Sequence, residues 1–274
     1  MTDVMDPQPK QPKKKSDLLV RSLSSILLGP LVLAAVYFGS PYSDLLIFLC
    51  SGILAWEWAS LCGRGTLGPI GLSLIASVIV VMLVGLFDQF SLIMWGLPIV
   101  LVSFYGLTRL FFKSVNNSHW YILGLFYISI SSLALLWIRN IPEQGLELIF
   151  WVLFVVWATD IGAYFSGRSI GGPKIAPKIS PNKTWAGLIG GMLSAAVVSY
   201  IFTRWMNDVS PWELVISGAL LAVISQAGDF FESHVKRRFD AKDSSRLIPG
   251  HGGLFDRVDG LLACAIVVAG YNIF

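Results

Sequence analysis

Between Gly228 and Asp259 the chain is dense in acids and bases. It reads Gly228-Asp229-Phe230-Phe231-Glu232-Ser233-His234-Val235-Lys236-Arg237-Arg238, then Lys242-Asp243, then Pro249-Gly250-His251-Gly252-Gly253-Leu254-Phe255-Asp256-Arg257-Val258-Asp259. On a helix, Glu232, Ser233 and Lys236 follow Asp229 at i+3, i+4 and i+7 and share its face; Asp256 and Asp259 are also one turn apart. Two such helix ends can present oxygen ligands to one cation from both sides of the intervening loop, and hard oxygens suit magnesium. The plainer alternative is that Asp256 and Asp259 pair with Arg257 and Lys236 to neutralise charge. His251-Gly252-Gly253 stands just before a helix, where small residues let backbone N–H groups approach a phosphate and the helix dipole favours an anion. Such an entry is also common without any ligand.

A second stretch reads Asp160-Ile161-Gly162-Ala163-Tyr164-Phe165-Ser166-Gly167-Arg168, then Lys174-Ile175-Ala176-Pro177-Lys178-Ile179-Ser180-Pro181-Asn182-Lys183-Thr184. Its spaced lysines and two prolines describe a constrained basic strap suited to a polyphosphate or to anionic lipid heads. Topological charge alone would explain the bases, but neither Asp160 nor the Ser-Pro-Asn-Lys turn. Glu57 reads as a paired buried acid and His119 as an interfacial residue. Cys50, Cys62 and Cys264 have no C-x-x-C spacing and read as inert thiols.

The elements that must position these residues are set by lipid. The 274 residues are 55% hydrophobic and 14% charged, too little polar surface to cover a soluble globule. Spanning a bilayer takes about 20 apolar residues. Nine stretches approach that length: Val20 to Phe38, Ser43 to Leu61, Leu67 to Leu86, Phe90 to Leu110, Trp120 to Ile138, Leu146 to Phe165, Thr184 to Trp205, Glu213 to Phe230, and Leu254 to Asn272. The expected fold is therefore all-α and polytopic. Residues 1–18 form a disordered basic tail, and residues 19–274 a transmembrane catalytic domain with cytosolic loops 167–183 and 231–253. With the N-terminus in the cytosol, every one of the 20 Lys and Arg residues except Arg139 and Arg204 lies on the cytosolic side, as basic connections do. Carboxylates at the centre of a span cost about 2.5–3.5 kcal/mol, so acids at span ends beside basic loops point to paired or functional groups.

Ser233, Lys236, Arg237, Lys242, Asp243, Pro249, His251, Gly252, Gly253, Asp256, Arg257 and Asp259 together match the signature of CDP-diacylglycerol synthases, the phosphatidate cytidylyltransferases, and the chain resembles that family. The likeness extends to the 160–184 strap, the chain length and the polytopic architecture. One departure is Ala186, where many members carry Glu; any role of that Glu is in doubt here.

The resemblance implies an enzyme that joins CTP to phosphatidic acid, giving CDP-diacylglycerol and pyrophosphate for phospholipid synthesis. Its place is the inner, cytoplasmic membrane, with the active site facing the cytosol. On this reading Asp229 and Asp256 hold a magnesium ion, with Asp259 and Ser233 completing a second cation site. Lys236, Arg237, Lys242 and Arg257 neutralise phosphates; Ser180, Asn182 and Lys183 close over nucleotide or lipid head; and His251, Gly252 and Gly253 cradle phosphate. The resemblance suggests a homodimer in the bilayer, and no nucleic acid is expected as a partner. Rival readings are a CTP-dependent lipid kinase, which would need a general base for an alcohol acceptor, and a transporter of ions or anionic lipids, which would place its acids near mid-bilayer. Acyl-chain preference and the basis of cytidine specificity are not written in these residues.

Overall fold

The computed structural model describes residues 14–87, 118–206 and 209–273, together with positions 100, 103, 104 and 106. The described elements are α1 (Lys14–Phe38), α2 (Tyr42–Cys62), α3 (Pro69–Phe87), α4 (Ser118–Asn140), α5 (Gly145–Ser169), β1 (Lys174–Ala176), β2 (Ser180–Thr184), α6 (Trp185–Phe202), α7 (Pro211–Arg238) and α8 (Phe255–Ile273). Eight of the nine expected spans coincide with these helices; the expected span from Phe90 to Leu110 lies outside the described residues, as does most of the 1–18 tail. Among the described helices, six (α2 to α7) are long and apolar enough to cross a membrane. The protein is a helical membrane protein.

Two boundaries differ from expectation, each for a physical reason. The segment 231–253 is not all loop, because α7 continues to Arg238. A helix of 28 residues is about 42 Å long against a hydrocarbon core of about 30 Å. Its last turns, with Glu232, Lys236, Arg237 and Arg238, can therefore stand beyond the lipid tails, and the three bases complement the helix C-terminus. The segment 167–183 is also not all loop: β1 and β2 pair antiparallel, Lys174 opposite Thr184 and Ala176 opposite Ser180. The hairpin leads directly into α6, whose N-cap is Thr184; its hydroxyl accepts from the Gly187 N–H at 3.1 Å.

Packing separates two buried clusters. One gathers α2, α3 and α4 around Trp58, with Val235 and Phe239 at the end of α7 and Phe255 and Leu262 of α8. The other gathers α5, α7 and α8 around Val152 and Ala222, with Ile138 from α4. The α5–α6 seam is tight because small residues face each other: a Cβ on Gly191 would lie 3.0 Å from the Thr159 carbonyl oxygen. At the far end of the bundle, Arg139 donates to the Val36 and Tyr37 carbonyls at 2.7 and 3.2 Å and closes the C-terminus of α1. Asn140 donates there to Asp44 at 3.2 Å. This gives Arg139 a structural task.

Trp58 is 1% exposed, and its indole N–H donates to the Trp120 carbonyl at 2.8 Å. Gly124 leaves the indole its place, since any Cβ there would collide with the Trp58 ring. Gly124→Leu should destabilise the protein by about 1–3 kcal/mol, read as a lower melting temperature of detergent-purified protein.

Candidate active site

Asp229 and Glu232 on α7 and Asp259 on α8 come together, each offering a carboxylate oxygen, and these atoms lie within 4.8 Å of one another. Close helix approach makes this possible: a Cβ on Gly228 would stand 2.6 Å from the Asp259 carbonyl oxygen. That same carbonyl accepts from the Tyr127 hydroxyl at 3.4 Å. Glu232 is 1% exposed, whereas Asp229 and Asp259 are half-buried, and Asp229 lines an open cavity.

Two lysines flank the acids. Lys183 of β2 forms an ion pair with Asp229, drawing the strap onto α7. Lys236 bridges Glu232 Oε1 at 2.7 Å and Asp256 Oδ1 at 2.6 Å. Among the described residues, no lysine or arginine makes an ion pair with Asp259. Three clustered carboxylates with one of them lacking a basic partner form a hard-oxygen set with surplus negative charge, which fits a magnesium ion.

Asp256, expected beside Asp229, is placed elsewhere. Besides Lys236 on Oδ1, its Oδ2 accepts from the Ser244 N–H at 2.8 Å, the Ser244 hydroxyl at 2.9 Å and the Gly253 N–H at 2.8 Å. It closes the entry to α8 and holds Lys236, the neutralising pairing that stood as the alternative. The His251-Gly252-Gly253 cradle is likewise occupied from within the protein. The Gly253 N–H points at Asp256, and the His251 N–H donates to the Ile248 carbonyl at 2.9 Å. The next two N–H groups, of Leu254 and Phe255, donate to Glu57 at 2.8 and 2.7 Å. The anion at this helix N-terminus is a side chain of α2. Gly252, at φ 87°, adopts a conformation that L side chains rarely take, so the turn requires glycine there. Arg257 does not reach the acids; it folds back on the His251 carbonyl with two bonds of 3.1 and 2.9 Å.

The other expected residues spread around this centre. Ser233 is half-buried on α7, and Arg237 and Lys242 are exposed on the rim, Arg237 donating to the Ala241 carbonyl at 2.9 Å. Ser180 pairs within the hairpin, and the Asn182 carbonyl accepts from Lys174 at 3.4 Å. Asn182 and Lys183 also line a cavity of about 200 Å³ with Asp160, Tyr164, Gln226 and Asp229. The cavity thus joins the strap to the acid cluster. Residues the sequence reading left out are Glu232 as a member of the cluster, Gln226 and Tyr164 in the cavity, and Ser244 and Ser245 around Glu57. Glu232 and Gln226 each lie three positions from Asp229, a spacing that carried their signal; Ser244 and Ser245 sit in a loop with no period to reveal them.

Residues 19–274 match the cytidylyltransferase family. Over 253 residues the chain is 37% identical to the phosphatidate cytidylyltransferase of Brucella suis biovar 1, covering 92% of each chain. It is 47% identical over 127 residues to the phosphatidate cytidylyltransferase of Haemophilus influenzae, 44% of each chain. With the phosphatidate cytidylyltransferase of Bacillus subtilis it shares 43% identity over 141 residues, 51% of this chain and 52% of that one.

Lys236 is the cation common to two buried acids, so its removal leaves both without a countercharge. Lys236→Met should cost about 3–5 kcal/mol, measured by thermal unfolding. Adding Glu232→Gln should recover part of that loss.

Proposed function

This chain belongs to the cytidylyltransferase family, and from that premise we propose how its residues join CTP to phosphatidic acid. It is a phosphatidate cytidylyltransferase, producing CDP-diacylglycerol and pyrophosphate for phospholipid synthesis. The observation that carries the proposed site is the convergence of Asp229, Glu232 and Asp259 next to a cavity walled by Lys183 and Asn182.

In the reaction, a phosphate oxygen of phosphatidic acid attacks the α-phosphorus of CTP. The bond from that phosphorus to the α,β-bridging oxygen breaks, and pyrophosphate departs with the electron pair. A phosphate monoester has a second pKa of about 6, so the nucleophile is already ionised at neutral pH and needs no protein base. The protein's work is then positioning and charge neutralisation. Asp229 and Asp259, backed by Glu232, would hold a magnesium ion, and Ser233 lies one turn from Asp229 for a second cation. Bound magnesium would neutralise phosphate charge. Lys183 leaves Asp229 for the phosphates of an incoming nucleotide, while Asn182 and Ser180 line the approach. Arg237 and Lys242 stand on the rim, where exposed bases attract an anion from solvent. Asp256 keeps Lys236 in place, and Arg257 holds the turn that carries His251, Gly252 and Gly253.

The wider setting follows the same reading. The site lies at the end of the bundle rich in Lys and Arg, which supports a cytosolic active site in the inner membrane, with the N-terminus inside and nine spans. Residues 19–274 would act as one catalytic domain, in which the acyl chains stay in lipid while CTP arrives from the cytosol.

With purified protein, magnesium and phosphatidic acid, label from α-labelled CTP should enter lipid and label from γ-labelled CTP should leave as pyrophosphate. A γ-labelled lipid product would instead reveal kinase chemistry. Asp229→Asn and Asp259→Asn should each lower turnover by about 10- to 100-fold and raise the magnesium concentration for half-maximal rate. Chelation should abolish turnover, and added magnesium should restore it.

A further inference from the structure

Glu57 is fully buried on α2, and its carboxylate accepts four hydrogen bonds from the loop and helix that carry the proposed site. Oε1 accepts from the Ser245 hydroxyl at 2.6 Å and the Leu254 N–H at 2.8 Å. Oε2 accepts from the Phe255 N–H at 2.7 Å and the Ser244 hydroxyl at 3.2 Å. No lysine or arginine forms an ion pair with it among the described residues. Its compensation comes from hydrogen bonds and from the positive end of the α8 dipole.

The contacts continue inward. Ser244 touches both Glu57 and Asp256, Asp256 holds Lys236, and Lys236 holds Glu232 within the acid cluster. Gly253 is confined between Ser244 and Glu57, with no room for a Cβ. We propose that Glu57 is a positioning residue for cytidylyl transfer: it docks the 244–255 loop on α2 and sets the first turn of α8, so that Asp259 faces Asp229. This inference rests on the site described under Proposed function, and it gives the N-terminal half of the chain a part in the reaction without contact with substrate.

Glutamine at this position keeps the volume but replaces one acceptor oxygen with an N–H₂ donor, which would face either Leu254 and Ser245 or Phe255 and Ser244. Aspartate keeps both acceptors on a shorter stem. The test uses the full chain purified in detergent and assayed with CTP, phosphatidic acid and magnesium, alongside trypsin cleavage after Arg246, exposed in the docked loop, and after Lys242 just before it. Glu57→Gln should lower kcat by about 10- to 100-fold and raise the magnesium needed for half-maximal rate by about 10-fold. Trypsin should cut its loop faster than in the wild type, out of proportion to any fall in melting temperature, and Glu57→Asp should recover part of each effect. Wild-type kcat, magnesium response and loop cleavage in Glu57→Gln would overturn the proposal. So would a loss of activity that merely tracks the unfolded fraction, with normal kcat in the folded protein. If Glu57→Gln does not fold, Ser245→Ala decides: it removes one donor, and faster loop cleavage with reduced kcat supports the proposal, whereas wild-type values of both refute it. Wild-type protein that transfers no α-label would instead count against the reading of the site itself.

Discussion

A buried carboxylate on α2 receiving two N–H groups from the first turn of α8 is the contact around which the polar end of this protein is arranged. A helix begins with N–H groups that have no partner within the helix, and where its entry is buried in protein there is little water to satisfy them. Glu57 and Asp256 meet that need together, Glu57 at Leu254 and Phe255, Asp256 at Gly253. Removing either acceptor would leave buried N–H groups unpaired, which is more costly than the hydrogen bond is worth when made. The entry to α8 is consequently fixed in position, and the site is built on it.

From that fixed point the charges sort into two sets with different chemistry. Asp256 and Glu232 share Lys236 and are buried, so they act as structure around a single cation. Asp229 lines the cavity and is held by a lysine of the strap; Asp259, beside it, has no ion-pair partner among the described residues. Negative charge gathered in a partly desolvated place is costly unless something positive completes it. In the function proposed above, a magnesium ion arriving with a phosphate substrate would be that completing group. The internal pairing of Lys236 keeps the surplus where a substrate can reach it.

The strap adds the other half of the recognition. Pairing of β1 with β2, and the Thr184 cap on α6, give the Lys183 side chain a fixed point of departure, and the tight α5–α6 seam carries that point against α7. Lys183 therefore meets Asp229 although 46 residues separate them. If Lys183 neutralises phosphate as proposed, its pairing with Asp229 already holds it near that place, which would reduce the ordering needed on binding.

The helical membrane architecture and the positions of the six described helices long and apolar enough to cross a bilayer were legible in the order of residue types, because apolar length is imposed locally by lipid. The signature from Ser233 to Asp259 likewise carried the family. What the order of residues did not reveal is which oxygen meets which donor. Asp229, Glu232 and Asp256 look equivalent as carboxylates beside lysines, and only packing separates the acid that caps a helix and the one buried against Lys236 from the one that faces a cavity. Glu57 is the plainest case: as one acid in an apolar span it reads as buried and paired, but its partners lie 187 to 198 residues away. Two of those partners are backbone N–H groups, which nearly every residue type supplies, so no side-chain pattern could announce them; the meeting of α2 with α8 alone decided it.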